Sequence, residues 1–387
     1  MSRRSPSCAP VSWSSSMAAS TPRRQVTRSP RRTSSSSHHR RRSSLARMPQ
    51  PKGNLPMSTQ TEARPRIIVN GEIVQRYALV LAFVLVLVVF SALRPDTYLS
   101  TGNVQNLLTA QSVTMLLAFA VMVPLATGEF DLSVGYHAGM AQVLIIGLQE
   151  KHDWSWPIAA AAIIVAGCVV GLVNGVLVTR FGISSFIATL GSGMVLFGIT
   201  NWFTNGQQIV GTKLSTSFID LTGSIGWVPY FALLVAAVGI VLHIYFERTV
   251  AGRSLFVVGS SRRAAELTGV SVSRTVTTAF VTSGAMAALG GIILGANLRT
   301  GTASVGPEYL LPAFAGAMLG ATSIKPGRFN VVGTVIAVLT LAFLFSGVQQ
   351  LGAPFFVEYF FNGGILVLAV GLSVYAAKLH RERASRV

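Results

Sequence analysis

GEFDLSVGYHAGM, running from Gly128 to Met140, decides how the chain is read. Apolar residues continue on both sides of it, VTMLLAFAVMVPLAT before and AQVLIIGL after, yet Glu129 and Asp131 stand where a lipid-crossing helix would carry aliphatic side chains. A carboxylate near the bilayer centre costs ~2.5–3.5 kcal/mol on insertion scales, so such groups are paired, turned into protein, or placed where a helix breaks. Break signals are present: Pro124 lies one turn earlier, and Gly128 and Gly135 bracket the acids. The spacing therefore predicts a broken helix near 128–135. Asp131 is expected to accept hydrogen bonds from the orphan amides of the following helix as its N-cap, with Ser133 adding capping capacity. The competing role for Asp131 is direct contact with a polar solute or a gate. Glu129 is expected to partner a basic residue on the cytoplasmic side or to sit in water. His137, among small residues, is expected to be a hydrogen-bonded packing residue.

Composition supports a membrane setting for this break. Of 387 residues, 51% are hydrophobic and only 11% charged, against about 25% charged in soluble domains. Apolar runs recur at the ~20-residue length a bilayer requires. Ten are read, at 77–93, 107–127, 132–148, 157–178, 186–204, 228–246, 276–296, 310–323, 329–347 and 359–377. With the N-terminus inside, twelve Lys and Arg fall in cytoplasmic segments, among them Arg180, Arg262, Arg263 and Arg328, against four outside: Arg94, Lys151, Lys213 and Arg299. That bias sets the orientation. The fold class is an all-α polytopic membrane protein of about ten transmembrane helices, with both termini cytoplasmic.

Residues 1–66 are different in kind. They hold fourteen of the thirty-one Lys and Arg and one acid, Glu62, so the formal charge of +18 falls to +5 over the rest. Runs such as SPRRTSSSSHHRRRSS describe a disordered Ser/Arg-rich arm; basic tracts of this kind attract nucleic acid or anionic lipid. The preferred reading is a misassigned start, with the authentic chain beginning near Met57 and no nucleic-acid partner. The transmembrane domain is then 67–387.

Other chemistries find little support. Cys8 and Cys168 are too few for a disulfide framework, and no Cys/His cluster has metal-ligand spacing. Gly206 to Lys213 reads G-x-x-x-x-G-T-K, one residue out of step with a phosphate-binding loop, and lies in an outward connection. No Ser/His, paired-Asp or HExxH arrangement occurs within the spans, so no catalytic residue is assigned. Small residues four apart, Gly167, Gly171 and Gly175, then Gly291 with Gly295 and Gly316 with Gly320, predict close helix packing. Asp131, Ser133, His137, Asn174, Thr189 and Asn201 are the candidates for a polar path.

The largest inward connection, 247–275, has its own architecture. Ser260 and Ser261 are placed to cap a short helix carrying RRAAEL, and Gly269 to end it in the left-handed conformation. A helix of about two turns is unstable alone in water, so it is expected to dock on something.

Four segments in order, DLSVG at 131–135, FIATLG at 186–191, AGRSLFVVGSSRRAAELTGVSVSR at 251–274 and LPAFAGAMLGATSIKPGRFNVVGTVIAV at 311–338, resemble the permease subunits of bacterial ATP-binding cassette importers for ribose, xylose and related sugars. The resemblance runs from about Gln75 to Ala377. It implies a permease that works by alternating access, a second permease copy, an ATPase subunit on the cytoplasmic face, a periplasmic solute-binding protein, and residence among the lipids of the inner membrane. It implies no cofactor in this chain, because ATP is used by the partner. It makes RRAAEL the coupling helix: Arg262, Arg263 and Glu266 supply polar contacts, Ala264, Ala265 and Leu267 an apolar face, and Gly269 the stop. The family commonly shows Gly-Gly-Ile-Asp where this chain has Gly128-Glu129-Phe130-Asp131, so the solute is left open. An ion-coupled secondary transporter and a passive channel are the rival readings.

Overall fold

The computed structural model describes residues 71–354, 356–364, 367 and 371. The basic arm, the Met57 start and most of the tenth span lie outside the described residues. The elements are α1 (Gly71–Leu93), α2 (Thr101–Ala126), α3 (Val134–His152), α4 (Trp156–Thr179), α5 (Ser185–Thr204), β1 (Ile209–Val210), α6 (Thr216–Ile219), β2 (Ser224–Ile225), β3 (Val228–Pro229), α7 (Tyr230–Arg248), α8 (Val250–Ser260), α9 (Arg262–Leu267), α10 (Val272–Leu298), β4 (Thr300–Gly301), α11 (Val305–Glu308), α12 (Leu310–Gly320) and α13 (Val331–Gln350). A further helix, α14, begins at 357 and is described to 364. Among the described residues, seven helices are long and apolar enough to cross a membrane: α1 from Arg76, α2, α4, α5, α7, α10 and α13.

The other two of the first nine expected spans are shorter or more polar for reasons visible in their residues. In α3 the run VGYHAGMAQVLIIGLQEKH carries His137, Gln142, Gln149 and Glu150. The eighth span is divided: β4 and α11 descend beside α3 before α12 completes the crossing with only 11 residues. The division is tight, because a Cβ at Gly135 or Gly139 would meet the backbone of Gly306.

Burial sorts the helices into an inner and an outer set. In α2, α10 and α13 most of the spanning window is buried in protein, and α2 from Ser112 to Ala126 is buried on every side. A helix apolar all round belongs in such a centre. By contrast α1, α4, α5 and α7 expose Leu81, Leu85, Val88, Ile158, Val165, Ile187, Val195, Ile240 and Val241, so the outer helices carry the exposed apolar surface.

The Gly167-Gly171-Gly175 ridge is the closest seam. Cβ atoms there would strike the Gly284, Phe280 and Thr277 backbones of α10. Gly291 and Gly295 do the same for α10 against Ala138, Ala141 and Ile145 of α3, and Gly316 and Gly320 for α12 against Val338 and Thr334 of α13. With lipid on the outside, backbone proximity of this kind is the principal source of helix association. Each stripe identified from its spacing is thus a packing stripe.

Polar links close the two ends. At the end opposite the arginines, Glu150 accepts from the Thr212 hydroxyl and from the amides of Thr212 (2.8 Å) and Lys213 (2.7 Å). These donors, the Thr212 hydroxyl first, hold its carboxyl below the ordinary range. At the arginine-rich end, Lys325 pairs with Glu247 at 2.6 Å and the Arg328 guanidinium stacks 4.0 Å from the Phe256 ring centre.

Candidate functional site

The chain leaves helical geometry after α2 because Gly128 adopts φ +82°. The segment from Gly128 to Ser133 then has backbone groups with no helical partner, and a neighbouring helix supplies partners. The Phe130 amide donates to Ser185 Oγ (3.1 Å) and the Leu132 amide to Thr189 Oγ1 (3.0 Å), both on the first turns of α5. Buried non-helical backbone needs such partners. Ser185, just before FIATLG, and Thr189 within it therefore form a hydroxyl clamp for the break.

Asp131 is the centre of a buried network and is 2% exposed. Its Oδ1 accepts from the Ser133 amide (3.1 Å) and hydroxyl (2.5 Å), and its Oδ2 accepts from Ser283 Oγ of α10 (2.7 Å). Asn174 of α4 donates in turn to Ser133 Oγ (3.0 Å). The carboxylate thus ties the broken segment to two other helices. The expected N-cap differs in detail: α3 begins at Val134, and Asp131 binds the amide two residues ahead, forming a turn at the helix entrance. Ser133 occupies the cap position but makes no side-chain capping bond, its hydroxyl being committed to Asp131. Charge-assisted bonds of this type are among the stronger ones, which is how a carboxylate is retained without a cation beside it.

Of the residues proposed for a polar path, the fold brings Asp131, Ser133, Asn174 and Thr189 together. His137 is buried one turn further along α3, and its Nε2 has no hydrogen-bond partner among the described residues. Asn201 is not part of the group; it lies near the other end of α5 and donates to the Phe197 carbonyl (2.9 Å). Ser283 and Ser185 belong to the network and were not among the path residues. Lone serines in long apolar helices carry no spacing signal.

A cavity of about 520 Å³ opens beside the network, lined by Gly128, Glu129, Phe130, Ser185 and Arg262 but not by Asp131 or Asn174. Glu129 has a mostly buried side chain and is ion-paired with Arg262, whose side chain is about half exposed. The basic partner expected for Glu129 is thus on α9, so the arginine helix and the broken segment are joined through one contact. The α9 helix begins at Ser261, whose Oγ accepts from the Ala264 amide (3.3 Å), and is followed by Gly269 at φ +79°. Ser260 belongs instead to α8, an 11-residue helix that apolar patterning did not isolate. On α9, Ala265 is fully buried, so the outward face is made by Arg263, Glu266 and Leu267, the last 82% exposed.

The link invites a charge-swap test. Glu129→Arg alone should place like charges together and impair transport, while Glu129→Arg with Arg262→Glu should restore most of it. Because the Glu129 side chain is mostly buried, the single variant should also lower the thermal midpoint, and the double variant should recover much of that loss. Equal uptake by the single and double variants would remove any role for the contact.

Comparison with known proteins agrees with this architecture. The family described as branched-chain amino acid transport system / permease component matches residues 103–370. The ribose import permease protein RbsC of Bacillus subtilis strain 168 is 30% identical over 320 residues, covering 80% of this chain and 96% of the relative. Its Escherichia coli K12 counterpart is 29% identical over 325 residues, covering 81% and 98%. The xylose transport system permease protein XylH of Haemophilus influenzae is 29% identical over 360 residues, covering 76% and 95%. No solved structure matches. A match over residues 103–370, on a bundle whose chain breaks between α2 and α3 and which has a capped helix at its arginine-rich end, means that this chain belongs to the branched-chain amino acid transport system / permease component family and is a multi-pass membrane permease subunit.

Proposed function

We propose that the chain is the membrane-spanning subunit of a bacterial ATP-binding cassette importer that moves a monosaccharide or a similar polar solute across the inner membrane. The observation that carries this reading is the exposed, capped α9 helix, ion-paired through Arg262 to the broken segment at Glu129. A short helix packed on the bundle through Ala265 but carrying an 82%-exposed leucine on its outer side is built to be covered by another protein. In this reading the cover is an ATPase subunit, and Arg263, Glu266 and Leu267 form the docking face, with Arg262 turned back to the permease. The named substrates of the ribose and xylose relatives support a sugar.

No covalent step is required. ATP binding and hydrolysis in the partner bias two arrangements of the bundle, and differential affinity for those arrangements moves the solute. A periplasmic binding protein delivers the solute to the face opposite the arginines. A second copy of the permease covers part of the exposed apolar surface and lipid the remainder. The two termini are cytoplasmic.

Reconstitution tests the reading. Uptake into proteoliposomes should require the ATPase, ATP and the binding protein together. Leu267→Asp should insert and unfold like wild type, because the side chain touches little of its own subunit, yet lose more than about 90% of uptake, a tenfold change for ~1.4 kcal/mol of lost docking. Undiminished uptake by Leu267→Asp would overturn the docking face. Downhill flux through the permease alone would favour a channel.

A further inference from the structure

The proposed path residues leave one cavity of mixed polar and apolar lining unused. A cavity of about 470 Å³ lies between α2, α11, α12, α13 and α14. Its walls run from Thr114, near the midpoint of α2, and Leu341 and Ala342, near the midpoint of α13, to Leu298 at the end of α10 and Glu358 in the first turn of α14. Glu308 and Glu358 both line it, and both charges bear on the Tyr309 hydroxyl. No Lys, Arg or His is among the lining residues. Acidic side chains within a membrane bundle are costly and are retained where they meet a partner or a solute.

A second observation is independent of the acids. Asn362 is 4% exposed and lines the same cavity; its amide serves Glu358, but its Oδ1 has no hydrogen-bond partner among the described residues. An oxygen left in this state asks for a donor. The lining also includes the short α11 and the first turn of α12, the interrupted crossing, and discontinuous helices are where transporters place their solutes.

We propose that this cavity is a binding station for the ammonium group of a small hydroxylated solute, an amino sugar being the fitting class. The inference rests on the permease reading and names the solute chemistry within it. A neutral sugar would satisfy the acceptors yet leave the partly buried Glu358 and the more exposed Glu308 without a counter-charge in the cavity. An ammonium supplies three donors and a charge, matching the Glu308 and Glu358 carboxylates and Asn362 Oδ1. An anionic solute is repelled.

The test uses the full chain in lipid nanodiscs with D-glucosamine, N-acetyl-D-glucosamine and D-glucose as probes. D-Glucosamine should bind about tenfold more tightly than the two uncharged sugars, since charge-assisted bonds are roughly twice as strong as neutral ones. Glu308→Gln with Glu358→Gln should erase that preference. Should the double variant fail to fold, Glu308→Gln alone, at an exposed position, should reduce the preference severalfold. D-Glucosamine binding no tighter than the others, or a preference that survives the glutamine substitutions, would overturn the proposal. ATP-driven uptake of a neutral monosaccharide by the assembled wild-type importer would in that event leave the permease reading standing.

Discussion

A leucine at Gly284 is expected to leave no monodisperse protein after extraction from the membrane. The position faces the Gly167 carbonyl and the Gly171 amide across the α4–α10 seam, so even the first carbon of a side chain meets backbone. Overpacking costs about 1–3 kcal/mol where neighbouring side chains can shift. Here the neighbour is a main chain held in its own helix, and relief requires the helices to part, so the cost exceeds that range. Alanine at Gly284 should already lower the thermal midpoint. Gly198→Ala, on the same bundle but with open space around it, should stay within about 0.5 kcal/mol of wild type. Size-exclusion profiles and unfolding midpoints of the three variants decide the matter. A wild-type profile for Gly284→Leu would mean that α4 and α10 do not meet at this distance.

Asp131→Ala is expected to destabilise by about 2–4 kcal/mol. The substitution strands the Ser283 hydroxyl and the Ser133 amide in a buried setting, and it releases Ser133 from the orientation in which it meets Asn174. Part of the loss is offset because the carboxylate's own desolvation cost disappears. Asp131→Asn keeps the volume and one acceptor, and should cost about half as much. Both effects are read as thermal midpoints in nanodiscs at neutral pH. If Asp131→Ala unfolds with wild type while uptake falls, the carboxylate serves the solute and not the joint between helices.

Much of this arrangement was legible before any coordinates, and the reasons are physical. The break near 128–135 could be read because glycine, proline and two acids in an apolar run leave few alternatives. The packing stripes could be read because four-residue spacing of glycines has one geometric meaning on a helix. Even the basic partner of Glu129 was expected in kind, though not by position, since charge attraction has no fixed sequence separation. What stayed hidden depends on contacts between distant segments. Ser283 is 152 residues from Asp131, and nothing in its surroundings distinguishes it from a serine facing lipid.

The same limit applies to Glu308 and Glu358. Each stands just before an apolar run, in GPEYLL and FVEYFF, and so reads as the rim of a span. Glu308 is carried to the cavity wall because β4 and α11 enter the bundle before α12 starts, and Glu358 lines the same cavity from the first turn of α14. The division of the eighth crossing is itself marked only by Gly306 and Pro307, and its meaning comes from the two glycines of α3 that receive it. Ala265 is a smaller case of the same kind. A six-residue helix has too few positions to show which side faces inward, and only the fold reveals that this alanine is covered while Leu267 is not.

The α4–α10 seam also has a bearing on how the molecule changes shape. Where main chains touch directly there are no side chains to rotate, and sliding by a fraction of a turn would collide carbonyls. These two helices must therefore travel as a single plank, and bending has to be concentrated at joints such as Gly128 and the loop from Arg299 to Ser304.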